Sequence, residues 1–213
     1  MSTSPQKESL TIAGPAGPLE ALLEQPQQGA VTTVAVVCHP HPQHGGTMLN
    51  KVVHTVARAM VDLGHAALRF NYRGVGASAG SYADGEGELQ DALAVVAFVR
   101  ERWPDAALWL AGFSFGGVVA ARAAAVANPA CLITIAPAVN ILEAKLERLP
   151  TMPWLIVQGE ADDVVPAAAV QSWVARCGEQ ADCRPELVLL PGVGHFFHGE
   201  LGTLRTLITD HTG

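Results

Sequence analysis

Ser114 lies in GFSFG, Gly112 to Gly116, directly after the apolar run ALWLA and directly before an alanine-rich stretch. A G-x-S-x-G pattern at a strand-to-helix junction forces its serine into a tight, strained turn, and small residues two before and two after it avoid clashes. The hydroxyl then projects past the strand end, at the positive pole of the following helix. A hydroxyl is a weak nucleophile that needs a base, and the base needs an orienting carboxylate. Suitable groups follow in the order acid, then histidine. In WLIVQGEADDVVP the apolar run ends at Gln158, Gly159 turns the chain, and Asp162 or Asp163 supplies a carboxylate. In LVLLPGVGHFFHG, His195 sits in a glycine-rich loop after another apolar run. Five of the eight histidines precede Ser114; beyond His195, His198 reads as a rim or surface residue. Together these groups have the makings of acyl transfer through a covalent serine intermediate.

A second cluster competes for attention. CHPHPQHGG, Cys38 to Gly46, holds one cysteine, three histidines and two prolines. Cysteine and histidine are preferred zinc ligands, so a metallohydrolase built on Cys38, His39, His41 and His44 is one reading. Cys38, however, closes an apolar strand, and the prolines lock the backbone around His39 and His41. A catalytic zinc also normally recruits a ligand from elsewhere in the chain. The expectation is therefore no metal and no cofactor, with the imidazoles lining a pocket or bonding to neighbouring loops.

The elements that must position these groups alternate regularly. Leu10–Ala13 and Leu19–Glu24, joined by GPAGP, read as a hairpin. Strands are expected at Val31–Cys38, Ala66–Phe70, Ala107–Ala111, Cys131–Ala136, Trp154–Gln158 and Glu186–Leu190. Helices are expected at Lys51–Leu63, Leu89–Arg102, Phe115–Ala127, Ala167–Cys177 and Leu201–Thr209. This alternation implies right-handed crossovers and a mostly parallel sheet with helices on both faces, formed as a single α/β domain over residues 1–213. Ligands of such sheets bind beyond the carboxyl ends of the strands.

Composition narrows the classes. The chain is 49% hydrophobic and 15% charged, so most of it packs, and 213 residues suit one core. With a net charge of −7 and 13 Lys and Arg, it is a poor nucleic-acid binder. The first ten residues lack the apolar core of a secretory signal, and no apolar run is long enough to span a bilayer. A cytoplasmic protein without membrane partners is expected, with Cys38 and Cys131 reduced and buried. Cys177 and Cys183 are near enough in sequence to pair, though a reducing compartment disfavours it.

GFSFGG, GEADDVVP and GHFF resemble the nucleophile elbow, acid loop and histidine loop of the α/β-hydrolase superfamily, and NYRGVGAS is similar to its R-G-x-G-x-S loop. CHPHPQHGGTMLNK with FNYRGVG further resembles a group of small bacterial hydrolases, over roughly Val34 to Leu201. The resemblance implies Ser114 as nucleophile, His195 as base and Asp162 as acid, since Asp162 fills the aspartate position of G-x-x-D and Asp163 is left to solvent or a local cap. It also places CHPHP where the family builds its oxyanion hole, with backbone N–H donors from Phe115 and from His41, because Pro40 and Pro42 have none. His39, Met48, Phe113 and Phe196 are the expected pocket walls. Pro137–Pro153 is too short for the family's cap domain, so the site is expected to be open. The activity implied is hydrolysis of carboxylic esters, small or short in the acyl part. Rival readings are a thioesterase or amide hydrolase with the same triad, or a non-catalytic ligand-binding protein. The oligomeric state, monomer or homodimer, is not encoded in any motif.

Overall fold

The computed structural model describes residues 5–146, 148–179 and 185–212. Among the described residues, eight strands form one sheet: β1 (Gln6–Gly14), β2 (Gly17–Gln25), β3 (Thr33–Cys38), β4 (Ala66–Phe70), β5 (Ala107–Phe113), β6 (Cys131–Ile135), β7 (Trp154–Gly159) and β8 (Glu186–Leu190). Their order is β1-β2-β4-β3-β5-β6-β7-β8. β1 and β2 form the expected hairpin, in register from Gln6 opposite Gln25 to Gly14 opposite Gly17. β2 pairs antiparallel with β4, and every later pairing is parallel.

β3 shows why the sequence reads as an uninterrupted apolar run. Val34, Val36 and Cys38 face one core and Ala35 and Val37 the other, so each residue of the strand is buried. α1 (Lys51–Asp62) and α6 (Leu201–Thr212) cover the second core. α2 (Glu86–Arg102), α3 (Phe115–Ala127), α4 (Val139–Lys145) and α5 (Ala167–Gly178) lie on the opposite side, and each packs against the next. α1 starts where Asn50 Oδ1 accepts the amides of Val52 and Val53, at 2.9 and 3.4 Å. The hairpin is tied in by a buried ion pair, Arg69 Nη2 to Glu24 Oε2 at 2.7 Å. Burial would raise the Glu24 carboxyl, but Arg69 and Lys7 outweigh it and hold the group below its ordinary range.

Several elements run longer than the sequence reading, among them β1, from Gln6 rather than Leu10, and α6, to Thr212 rather than Thr209; two further departures bear on the site. α2 begins at Glu86 rather than Leu89, because Glu88 turns inward and is fully buried. Its carboxylate accepts the amides of Ala83 and Gly85, at 3.0 and 2.7 Å, which a surface-type residue at that position does not announce. Pro137–Pro153, read as a bare connection, contains α4.

The strand order reverses at β3. The chain runs from β3 through α1 to β4 on one side, then through α2 back to β5 on the other. That reversal opens a crevice at the carboxyl ends of β3 and β5, where CHPHP and the Ser114 turn both lie.

Candidate active site

Ser114 caps α3 with φ 55° and ψ −118°, a backbone that L-residues adopt only when the surroundings enforce it. The enforcement is steric. A Cβ on Gly112 would sit 2.1 Å from the carbonyl oxygen of Gly116, and one on Gly116 would sit 2.3 Å from that of Cys38. Both glycines are obligatory, and the turn is pressed against the start of the CHPHP loop.

The loop after β8 brings His195 to this turn, and the loop after β7 brings Asp162. His195 Nε2 lies 3.1 Å from Ser114 Oγ, and His195 Nδ1 lies 2.8 Å from Asp162 Oδ2. Since the carboxylate can only accept, Nδ1 carries the proton and Nε2 is free to take one from the hydroxyl. Asp162 is held from four sides. Gln158 Nε2 donates to Oδ2 at 2.9 Å, and the amides of Val164 and Val165 donate to Oδ1 at 2.9 and 2.7 Å. Burial alone would raise its pKa, but the imidazole and the two amides outweigh that, so the group is charged at neutral pH. Asp163 is exposed.

Gln158 is the supporting residue that sequence reasoning passed over. It is fully buried, bridging Asp162 and the carbonyl of Val165. A polar side chain closing the otherwise apolar run WLIVQ is the signal that it had a buried partner.

In the CHPHP loop the two central histidines have different surroundings. His39 is completely buried, with Nδ1 2.7 Å from the carbonyl of Pro40 and Nε2 accepting the Tyr72 amide at 3.1 Å. Burial pushes its pKa down to about 4, so it is neutral, with the proton on Nδ1. His41 lies on the Phe115 ring, centroids 4.8 Å apart. Its Nδ1 accepts the Gln43 amide at 3.3 Å, leaving Nε2–H to face the Tyr82 hydroxyl at 3.2 Å. The His41 carbonyl accepts the amides of His44 and Gly46, at 3.1 and 3.0 Å, which curls the loop back on itself. Among the described residues, no three His, Cys, Asp or Glu side chains converge as a metal site would require.

The expected pocket walls need correction. His39 and Phe113 have no exposed surface, and Met48 is 7% exposed, its amide and carbonyl taken by Asn71 and Arg69. Phe113 instead supports His195 from within, with ring centroids 5.0 Å apart. Only Phe196 of the four presents a face, 49% exposed and edge-on to His195. His198 is exposed beside it. Cys38 and Cys131 are buried thiols, pushed up to about 12 and about 11 by desolvation. Cys183, and so any pairing with Cys177, lies outside the described residues. No helix among those residues is long and apolar enough to cross a membrane.

The chain's relatives share this architecture. A family model described as serine aminopeptidase, S33, matches residues 34–150. An α/β serine hydrolase homologue from Coxiella burnetii is 43% identical, with 97% of each chain covered and a TM-score of 0.90. A lidless α/β serine hydrolase from Xanthomonas campestris is 42% identical, covering 99% of this chain and 94% of its own, with a TM-score of 0.88. An uncharacterized protein of Rickettsia prowazekii is 33% identical over 186 residues, 84% of this chain and 77% of that one. The chain belongs to the lidless α/β serine hydrolases, within the family that the serine aminopeptidase S33 model describes.

Proposed function

We propose that the protein hydrolyses carboxylic esters through an acyl-enzyme on Ser114, with His195 as base and Asp162 as its orienting acid. The observation that carries this is the unbroken path from Ser114 Oγ through both imidazole nitrogens to Asp162 Oδ2, at 3.1 and 2.8 Å. Ser114 Oγ attacks the carbonyl carbon as its proton passes to His195 Nε2. The negative oxygen that forms is held by the amides of Phe115 and His41. Phe115 is the first residue of α3, so its amide has no partner within the helix. The carbon–oxygen bond to the alcohol then breaks as the alcohol takes the proton from Nε2. Water attacks the acyl group, gives its proton to Nε2, and the acid leaves as Ser114 regains its hydrogen.

Leaving-group chemistry favours esters over amides. An alcohol departs with modest proton assistance, whereas an amine must be protonated as it leaves and benefits most from a site shielded from water. The exposed Phe196 beside His195 and the absence of a cap domain leave this site open. A panel of activated esters of graded acyl length, run with the intact protein and with Ser114→Ala, tests the reading. A fluorophosphonate should label Ser114 once. Labelling elsewhere, or full turnover by the alanine variant, ends the proposal.

A further inference from the structure

His41 is bonded at every polar group but one. Its Nδ1 accepts the Gln43 amide at 3.3 Å, its Nε2–H faces the Tyr82 hydroxyl at 3.2 Å, and its carbonyl takes the amides of His44 and Gly46. Its own amide meets no acceptor among the described residues. A residue bonded everywhere except at its N–H presents that N–H as a fixed donor. Burial and the neighbouring His44 lower the His41 pKa against the pull of Glu88, which keeps the ring neutral and Nδ1 an acceptor.

The bonds to Gln43, His44 and Gly46 all close within the CHPHP loop. Among the described residues, the one hydrogen bond that ties His41 to anything outside that loop is the bond to Tyr82 Oη. Tyr82 comes from the connection between β4 and α2, which is itself anchored. Buried Glu88 takes the amide of Ala83, the next residue, and that of Gly85.

The side chains of the two amide donors also pack on each other. The His41 and Phe115 rings have centroids 4.8 Å apart, and Tyr82 completes the group at 5.0 Å from His41 and 6.3 Å from Phe115. All three spacings are those of aromatic contact. Phe115 is held in turn by the buried Tyr72 ring, edge-on at 6.1 Å. Three loops thus meet in one cluster of rings, and two of its members carry the amides that face the reacting carbonyl.

The geometry points to Tyr82 as a positioning residue of the oxyanion hole: its hydroxyl and ring fix the His41 amide at a set separation from the Phe115 amide. This rests on the acyl-enzyme reading above. A donor stabilises the developing oxygen only within about 2.7–3.1 Å of it, so a small shift of the His41 ring is felt in the barrier.

The test pairs p-nitrophenyl acetate as substrate with phenyl trifluoromethyl ketone, to whose carbonyl Ser114 adds to leave an oxyanion in the same place. Tyr82→Phe keeps the ring and removes the hydroxyl. It should lower kcat/KM about fivefold, the scale of one neutral hydrogen bond, and raise the inhibition constant of the ketone by the same factor. Tyr82→Leu, which removes the ring as well, should lose more on both measures. In a His41→Ala background, where the contact is already gone, Tyr82→Phe should cost nothing further. Tyr82 is half-buried, and kinetics are taken well below each variant's thermal midpoint. Parent-like kinetics in both Tyr82 variants, a loss of kcat/KM with the ketone's affinity unmoved, or an equal loss in the His41→Ala background overturns this proposal and leaves ester hydrolysis standing. No turnover by the intact protein, with no adduct on Ser114, overturns both.

Discussion

His195 Nε2 can take the Ser114 proton only because Asp162 Oδ2 holds the other proton on Nδ1. Burial would raise the Asp162 carboxyl, but the imidazole and the Val164 and Val165 amides hold it below the ordinary range, so it is a charged acceptor at neutral pH. Asp162→Asn replaces the charged acceptor of His195 Nδ1–H with a neutral amide and should lower kcat on the order of 10³–10⁴-fold with folding retained. Asp163→Asn, at an exposed position, should change kcat little; steady-state kinetics of the pair decides the assignment. His41 carries a second residue-level test. Proline at position 41 removes the amide donor and should raise the barrier by about 2.7–4 kcal/mol, with circular dichroism to verify the fold. The imidazole is tied in as well, with partners at both ring nitrogens. His41→Ala should therefore cost activity too, by less than His41→Pro.

The turn after β5 and the loop after β3 work as one element. Because a Cβ on Gly116 would lie 2.3 Å from the Cys38 carbonyl and 2.4 Å from that of His39, Gly116→Ala must push the two apart. It should abolish turnover and lower the thermal midpoint together, whereas Gly178→Ala, with open space around it, should do neither. Most elements were legible because their apolar patterns are dictated by burial: Ala66–Phe70, Phe115–Ala127 and Glu186–Leu190 run as the periodicity implies. What escaped is where polar side chains point inward. Glu88, Asp91 and Gln158 are all fully buried, each satisfying loop backbone or a charged partner, and hydrophobic patterning is blind to such residues. The pocket walls escaped for the opposite reason. Phe113, an aromatic residue beside the serine, is consumed by the core, a matter of backbone direction that residue type does not reveal.

Acid stability of the whole molecule turns in part on His39, whose neutral ring joins the CHPHP loop to the Tyr72 backbone. Its folded pKa is about 4, against about 6.5 when unfolded. Between those values the unfolded chain binds a proton that the folded one refuses, so stability is complete above the unfolded value and falls as pH drops toward the folded one. The loss from pH 7 to pH 5 should be about 2 kcal/mol. His39→Gln, which keeps a donor and an acceptor without titrating, should flatten that slope in urea denaturation at the two pH values. An unchanged slope would place the acid sensitivity elsewhere.

The backbone at Ser114 sets the reaction against the stability of the chain that performs it. A φ of 55° with ψ −118° disfavours any residue with a Cβ. Ser114→Gly should melt higher than both the parent and Ser114→Ala, by about 1 kcal/mol, while losing all turnover. Inactivation by that one substitution is thermodynamically downhill, so fold stability alone would replace this serine with glycine. Selection for turnover has to act against that gradient at every generation.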